Sequence, residues 1–146
     1  MASLSKKNIV KYFYFFLVFI YSCAEKKTTI PTTRETINKK AVAAYVIPMG
    51  DPKLDRKFGA EIFETPETFK YLLVMYFDGT TQNDTLAVPD FGILPLMQIK
   101  PGTEKLSCII GFLDDKNVFR EYKMLAIKND QLRLTTLKRY YTGAAQ

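Results

Sequence analysis

From Thr68 to Phe77 the chain alternates, placing Phe69, Tyr71, Leu73, Met75 and Phe77 on one side of an extended segment and Leu72, Val74 and Tyr76 on the other. A strand that is apolar on both faces needs cover on both, from a second layer or from a partner. The same two-residue period recurs on either side, punctuated by turn residues. Ala41–Ile47 closes at Pro48 and Gly50, and Phe58–Glu64 ends at Pro66. Asp78-Gly79 opens a polar turn expected to run through Asp84, after which Leu86–Val88 resumes the chain direction. Leu106, Cys108, Ile110 and Phe112 share a face up to the turn Asp114-Asp115-Lys116-Asn117. Val118–Ile127 follows, with Phe119, Leu125 and Ile127 expected inward, and turns at Lys128-Asn129-Asp130 into Gln131–Tyr141. These last three segments predict adjacent antiparallel strands. About seven strands at this spacing, with no helical period, predict an all-β fold over residues 41–146. The expected architecture is a small antiparallel β-sandwich of immunoglobulin-like or transthyretin-like type.

Composition agrees with a packed domain. Apolar residues make up 47% of the chain and charged ones 25%, which excludes a disordered polymer. The chain holds no His, so the commonest general base and the usual zinc and copper ligands are missing. Neither Ser107 nor a cysteine has an imidazole to activate it. Asp114 and Asp115 are what a tight turn asks for. Neither they nor Asp78, Asn83 and Asp84 show the alternating spacing with a distal Glu of a calcium loop. A non-enzyme without metal or cofactor is therefore expected.

The first residues organise differently. Lys6, Lys7 and Lys11 precede an unbroken apolar and aromatic run, Tyr12–Tyr21, and Ser22-Cys23 follow. A ten-residue helix would rise about 15 Å, half of a ~30 Å hydrocarbon core. Charge, short apolar stretch and small residue are the layout of a secretory signal. Removing Lys6, Lys7 and Lys11 from a chain of net charge +6 leaves a charge too small to single out nucleic acid as partner.

With Ile20-Tyr21-Ser22-Cys23 in place, the start of the chain resembles bacterial lipoproteins, whose signal ends in a small residue and an acylated cysteine. The resemblance implies residues 1–22 as signal peptide, lipid attachment at Cys23, and a flexible linker through residue 40. Several acyl chains on one residue make attachment durable where a single chain does not. Ala24 in place of an acidic residue implies sorting to the outer membrane, and the absence of an acidic run after Cys23 implies a periplasm-facing protein. Acylation would leave Cys108 alone, and its apolar surroundings predict a buried small hydrophobe. The linker, rich in Thr and without apolar period, is expected to be extended, with part of it as an alternative edge strand.

Two segments stand out as candidate partner-binding surfaces. Val88–Ile99 carries Phe91, Ile93, Leu94, Leu96 and Met97, interrupted by Pro89, Gly92 and Pro95, and so predicts an irregular apolar loop. Exposed, it is a docking surface; folded down, it caps the sandwich. Lys138-Arg139-Tyr140-Tyr141 reads either as a headgroup or nucleic-acid contact or as a last strand whose Tyr140 and Tyr141 cover core.

The order of strands, Ile99–Gly102 and Gly111–Arg120 faintly resemble the small transthyretin-like lipoproteins of type VI secretion membrane complexes. That resemblance implies a structural component of a secretion system, held to the outer membrane and bound to other envelope proteins, with no small-molecule ligand. The alternative expectation is a ligand- or glycan-binding surface lipoprotein using Tyr76, Tyr140 and Tyr141 as stacking platforms.

Overall fold

A computed structural model of the chain describes residues 30–51 and 53–140. Ile20–Cys23, the site of the expected lipid attachment, and Tyr141 lie outside the described residues. Among the described residues eight antiparallel strands form two four-stranded sheets, and there is no helix. The first sheet runs β1 (Ala43–Pro48), β2 (Lys57–Glu64), β3 (Lys70–Phe77), β4 (Thr80–Ala87) in chain order. The second runs β5 (Leu96–Pro101), β6 (Ser107–Leu113), β7 (Phe119–Lys128), β8 (Gln131–Thr136). Each sheet is an up-and-down meander, and one crossover, residues 88–95, joins them. An immunoglobulin order would interleave the strands between sheets through Greek-key connections.

The core lies between the sheets. Phe58, Ala60 and Ile62 of β2, Tyr71, Leu73 and Met75 of β3, and Leu86 of β4 face Met97, Cys108, Ile110, Phe112 and Leu125 from the second sheet, all buried. The register stacks side chains across the ladder: Ile62 opposite Leu73, Ala60 opposite Met75, Cys108 opposite Leu125. The alternation read for β3 thus sets its inner face. Its outer residues Leu72, Val74 and Tyr76 are only partly covered, mainly by neighbours on the same face.

Two differences from the sequence reading have clear causes. The turn expected through Asp84 is only Asp78-Gly79, both with positive φ, as a two-residue hairpin requires. Thr80–Ala87 then pairs with the whole of β3 as an eighth strand. Its sequence, TTQNDTLA, does not alternate, because all but Leu86 is exposed and no face selects for apolar residues. The second difference is Phe119, expected inward and found on the outer face opposite Leu113, with Lys100 Nζ 4.2 Å over its ring. The β6–β7 register shifts between Ile110 and Gly111, so Ile110 pairs with Lys123 and Gly111 with Glu121, and Tyr122 is the extra residue. The bulge inverts the phase of β7 between its two halves. Gly111 permits it, since a Cβ there would lie 2.2 Å from the Arg120 carbonyl oxygen.

The stretch assigned to the linker is fastened to the domain at its distal end. Thr33 bridges Glu67, Thr68 Oγ1 donates to the Pro31 carbonyl at 2.6 Å, and Arg34 N–H donates to the Pro66 carbonyl at 2.8 Å. The Arg34 guanidinium donates to the carbonyls of Thr65 (2.7 Å), Glu67 (2.5 Å), Thr68 (2.5 Å) and Lys70 (3.3 Å). The freely extended segment expected over residues 23–40 is therefore shortened from Pro31 onward, because one planar fork of donors meets the converging carbonyls of a turn. Among the described residues no helix is long and apolar enough to cross a membrane.

Candidate functional site

The crossover and the segment after β8, at Tyr140, meet over the bulge. Phe91 stacks on Phe112 with centroids 5.5 Å apart, and Tyr140 meets both edge-on, at 6.0 Å from Phe91 and 5.2 Å from Phe112. Tyr122, the bulged residue, completes the cluster 6.4 Å from Phe112 and 6.2 Å from Tyr140. Each edge-on or offset pair adds about 0.5–1.5 kcal/mol beyond area burial. Two phenols fix the cluster to main chain: Tyr140 donates to the Glu121 carbonyl at 2.7 Å and Tyr122 to the Ala87 carbonyl at 2.7 Å.

Above this floor is an open hollow of about 370 Å³, lined by Phe91, Ile93, Phe112, Tyr140, Asp114, Asp115 and Arg120. Its rim is charged. Asp114 accepts from the main-chain N–H groups of Lys116 (2.9 Å) and Val118 (2.8 Å) and from Arg120 Nε at 2.8 Å and Arg120 Nη2 at 2.6 Å. These bonds, the Val118 N–H foremost, hold the Asp114 carboxyl below the ordinary carboxylate range. Burial raises the phenols of Tyr140 and Tyr122, and at Tyr140 the nearby Arg120 charge opposes that rise. An apolar floor with a cation and carboxylates at its edge can hold an apolar side chain or a ring while hydrogen-bonding its polar edge.

Of the residues singled out from the sequence, the structure brings Phe91, Ile93 and Tyr140 together in this hollow. Met97 does not belong there. It is a core residue at 6% exposure, because the crossover ends at Pro95, whose carbonyl accepts from Tyr71 at 3.0 Å, and β5 then points Met97 inward. Leu96 opens β5 on the outer face at 59% exposure. Leu94, at 60%, lies in a separate shallow groove with Pro31, Thr33 and Arg34. The crossover is thus a cap at Met97 and a surface at Phe91 and Leu94. Tyr76 is far from Tyr140 in the fold: it sits on the outer face of the first sheet, donates to Glu61 Oε2 at 2.5 Å, and carries Lys57 Nζ 4.3 Å over its ring. That hydrogen bond pushes its phenol up to about 12. The two tyrosines form no shared platform.

Phe112 and Arg120 enter the site without having been expected there. The signal that could have found them is Gly111, since a glycine inside a strand pattern marks a bulge, and the bulge turns Arg120 toward Asp114. The other chemistry-bearing groups are structurally occupied. Ser107 Oγ donates to the Glu104 carbonyl at 2.8 Å and accepts from Glu104 N–H at 3.1 Å, closing the β5–β6 turn. Cys108 is wholly buried, and burial pushes its thiol up to about 12. Among the described residues no three His, Cys, Asp or Glu side chains converge on a point that would suit a metal ion.

Comparison with protein-family models, curated proteins and solved structures yields no match.

Proposed function

We propose that this chain is a bacterial lipoprotein acylated at Cys23, whose β-sandwich is a non-catalytic interaction module of an envelope-spanning assembly. A type VI secretion membrane complex is the leading example, and the periplasmic side of the outer membrane its place. The observation that carries this reading is the run Lys6–Cys23, with its basic flank, short apolar stretch and cysteine behind a small residue. The clasp at Arg34 supports it. Among the described residues Pro31 is the first bonded to the domain, and Ala24–Ile30 can carry it at most about 25 Å from Cys23. A sandwich held that close to its anchor suits a scaffold component better than a long-range searcher. The Phe91–Tyr140 hollow and the exposed Leu94 supply surface for a partner.

The test is metabolic labelling with radioactive palmitate beside a Cys23→Ala control, followed by recovery of the acylated protein from detergent. Label that depends on Cys23, and a reproducible set of co-purifying envelope proteins, are the expected results. Equal labelling of Cys23→Ala removes the anchor, and a labelled protein that returns alone removes the assembly.

A second reading, a ligand- or glycan-binding surface lipoprotein, is favoured by the hollow itself: its aromatic floor and charged rim fit a sugar ring. Protease treatment of intact cells separates the two, because a periplasm-facing protein survives it and a surface protein does not.

A further inference from the structure

The four sheet edges are not equivalent. β1 and β5 approach one another along one side of the sandwich, leaving β4 and β8 as the open edges among the described residues. β8 is short and carries Arg133, and Lys138 follows it closely. β4 has eight residues and few of the usual guards, for it holds no Lys, Arg, Pro or bulge and a single charge, Asp84.

The hairpin geometry tells which of its main-chain groups point outward. The two-residue turn makes Phe77 and Thr80 a hydrogen-bonded pair, so Thr80, Gln82, Asp84 and Leu86 bond to β3. Thr81, Asn83, Thr85 and Ala87 therefore face away. The Ala87 carbonyl is taken by Tyr122, and the hairpin turn ends the edge on the other side. What remains open is Thr81, Asn83 and Thr85, a window symmetric about Asn83. The Thr85 N–H is covered by its neighbour, Asp84 Oδ1, at 2.7 Å, a contact that one side-chain rotation releases.

We propose that this edge pairs with the same edge of a second copy, β4 against β4 antiparallel, on a twofold axis through Asn83. That register sets Asn83 opposite Asn83 and Thr81 opposite Thr85, and uses the whole window in about six main-chain hydrogen bonds. Asp84 then lies opposite Gln82. A shift of the axis to Asp84 sets two carboxylates against each other and runs into the occupied Ala87 carbonyl; a shift to Gln82 runs into the turn. Side chains at the seam are polar, and each Asp84 is set beside a neutral Gln82 of the other copy, so the pairing is carried by main chain and by register. The result is a continuous eight-stranded sheet across two sandwiches, which requires nothing of the anchor.

The experiment uses the full-length chain with single cysteine substitutions and mild oxidation, with the unsubstituted chain as background for Cys23 and Cys108. Across the axis, two residues at position 83 stand about 5.5 Å apart between Cα atoms, within disulfide range. Two residues at position 85 stand about 14 Å apart. Asn83→Cys is expected to form a disulfide dimer at least tenfold faster than Thr85→Cys. Native mass spectrometry of the unsubstituted chain is expected to show dimer, and Asn83→Lys, which sets two cations on the axis, to reduce it at least tenfold with an unchanged circular dichroism melt. Equal cross-linking at both positions, cross-linking of Asn83→Cys to a different protein, or dimer that persists in Asn83→Lys overturns the proposal.

Discussion

The guanidinium of Arg34 lies 4.6 Å over the ring of Tyr71 while its N–H groups reach into the carbonyls of the β2–β3 connection. One side chain, 9% exposed, thus joins the segment before β1 to a core tyrosine and to the turn that leads into β3. Charge-assisted hydrogen bonds of this kind are each worth about 1.5–3 kcal/mol. Arg34→Ala should lower unfolding stability by about 2–3 kcal/mol, seen as a reduced urea midpoint. Arg34→Lys should recover less than half, because an ammonium has no planar fork. Amide exchange at residues 32–36 should rise in both.

The aromatic cluster is graded from core to surface. Phe112 is 2% exposed and Phe91 40%. Phe112→Ala should cost about 3–5 kcal/mol and Phe91→Ala roughly half of that. Denaturant titration of both variants checks the order. Partner recovery should fall for Phe91→Ala at temperatures where its fold is intact, if the hollow is the docking surface.

Asp114 gives the domain a defined acid response. Its carboxyl is held below its ordinary pKa by the Val118 N–H first, and by Arg120 and the Lys116 N–H. A carboxyl lowered by folding contributes stability above its unfolded pKa of about 3.9 and loses it as pH falls through the folded value. The stability difference between the wild type and Asp114→Asn should therefore be full at pH 6 and shrink below about pH 4. Urea midpoints measured from pH 6 to pH 2 test the direction; a difference that grows on acidification contradicts it.

Cys108 should be inert while the domain is folded. With its thiol pushed up to about 12, roughly one molecule in ten thousand carries the thiolate at pH 8, and no surface reaches solvent. Alkylation by iodoacetamide should follow the unfolding transition in urea, and quantitative labelling in native buffer contradicts the placement.

The strand content was legible where burial imposes a rhythm. β3 alternates because a second sheet covers one face, β6 keeps Cys108, Ile110 and Phe112 buried, and the turns at Asp78-Gly79 and Asn129-Asp130 carry residues that tolerate positive φ. β4 was not legible, because exposed Thr, Gln and Asn feel no core and show no period. The half-site at Phe91, Ile93 and Tyr140 was visible as unusual apolar and aromatic residues between prolines or beside basic ones. Phe112 and Arg120 were not, because their placement depends on a register shift at Gly111 that pairs residues on different strands.

Sequence by itself determined that this is an all-β chain with its apolar residues in short alternating runs, and that its first residues are organised unlike the rest. Those are local properties, written in neighbours one and two positions apart. Tertiary structure alone decided which sheet each strand joins, where Tyr122 bulges, that Met97 goes inward while Leu96 stays out, and that Arg34 closes on the β2–β3 turn. Each depends on pairing across the fold, where hydrogen-bond register and packing, rather than composition, select the partner.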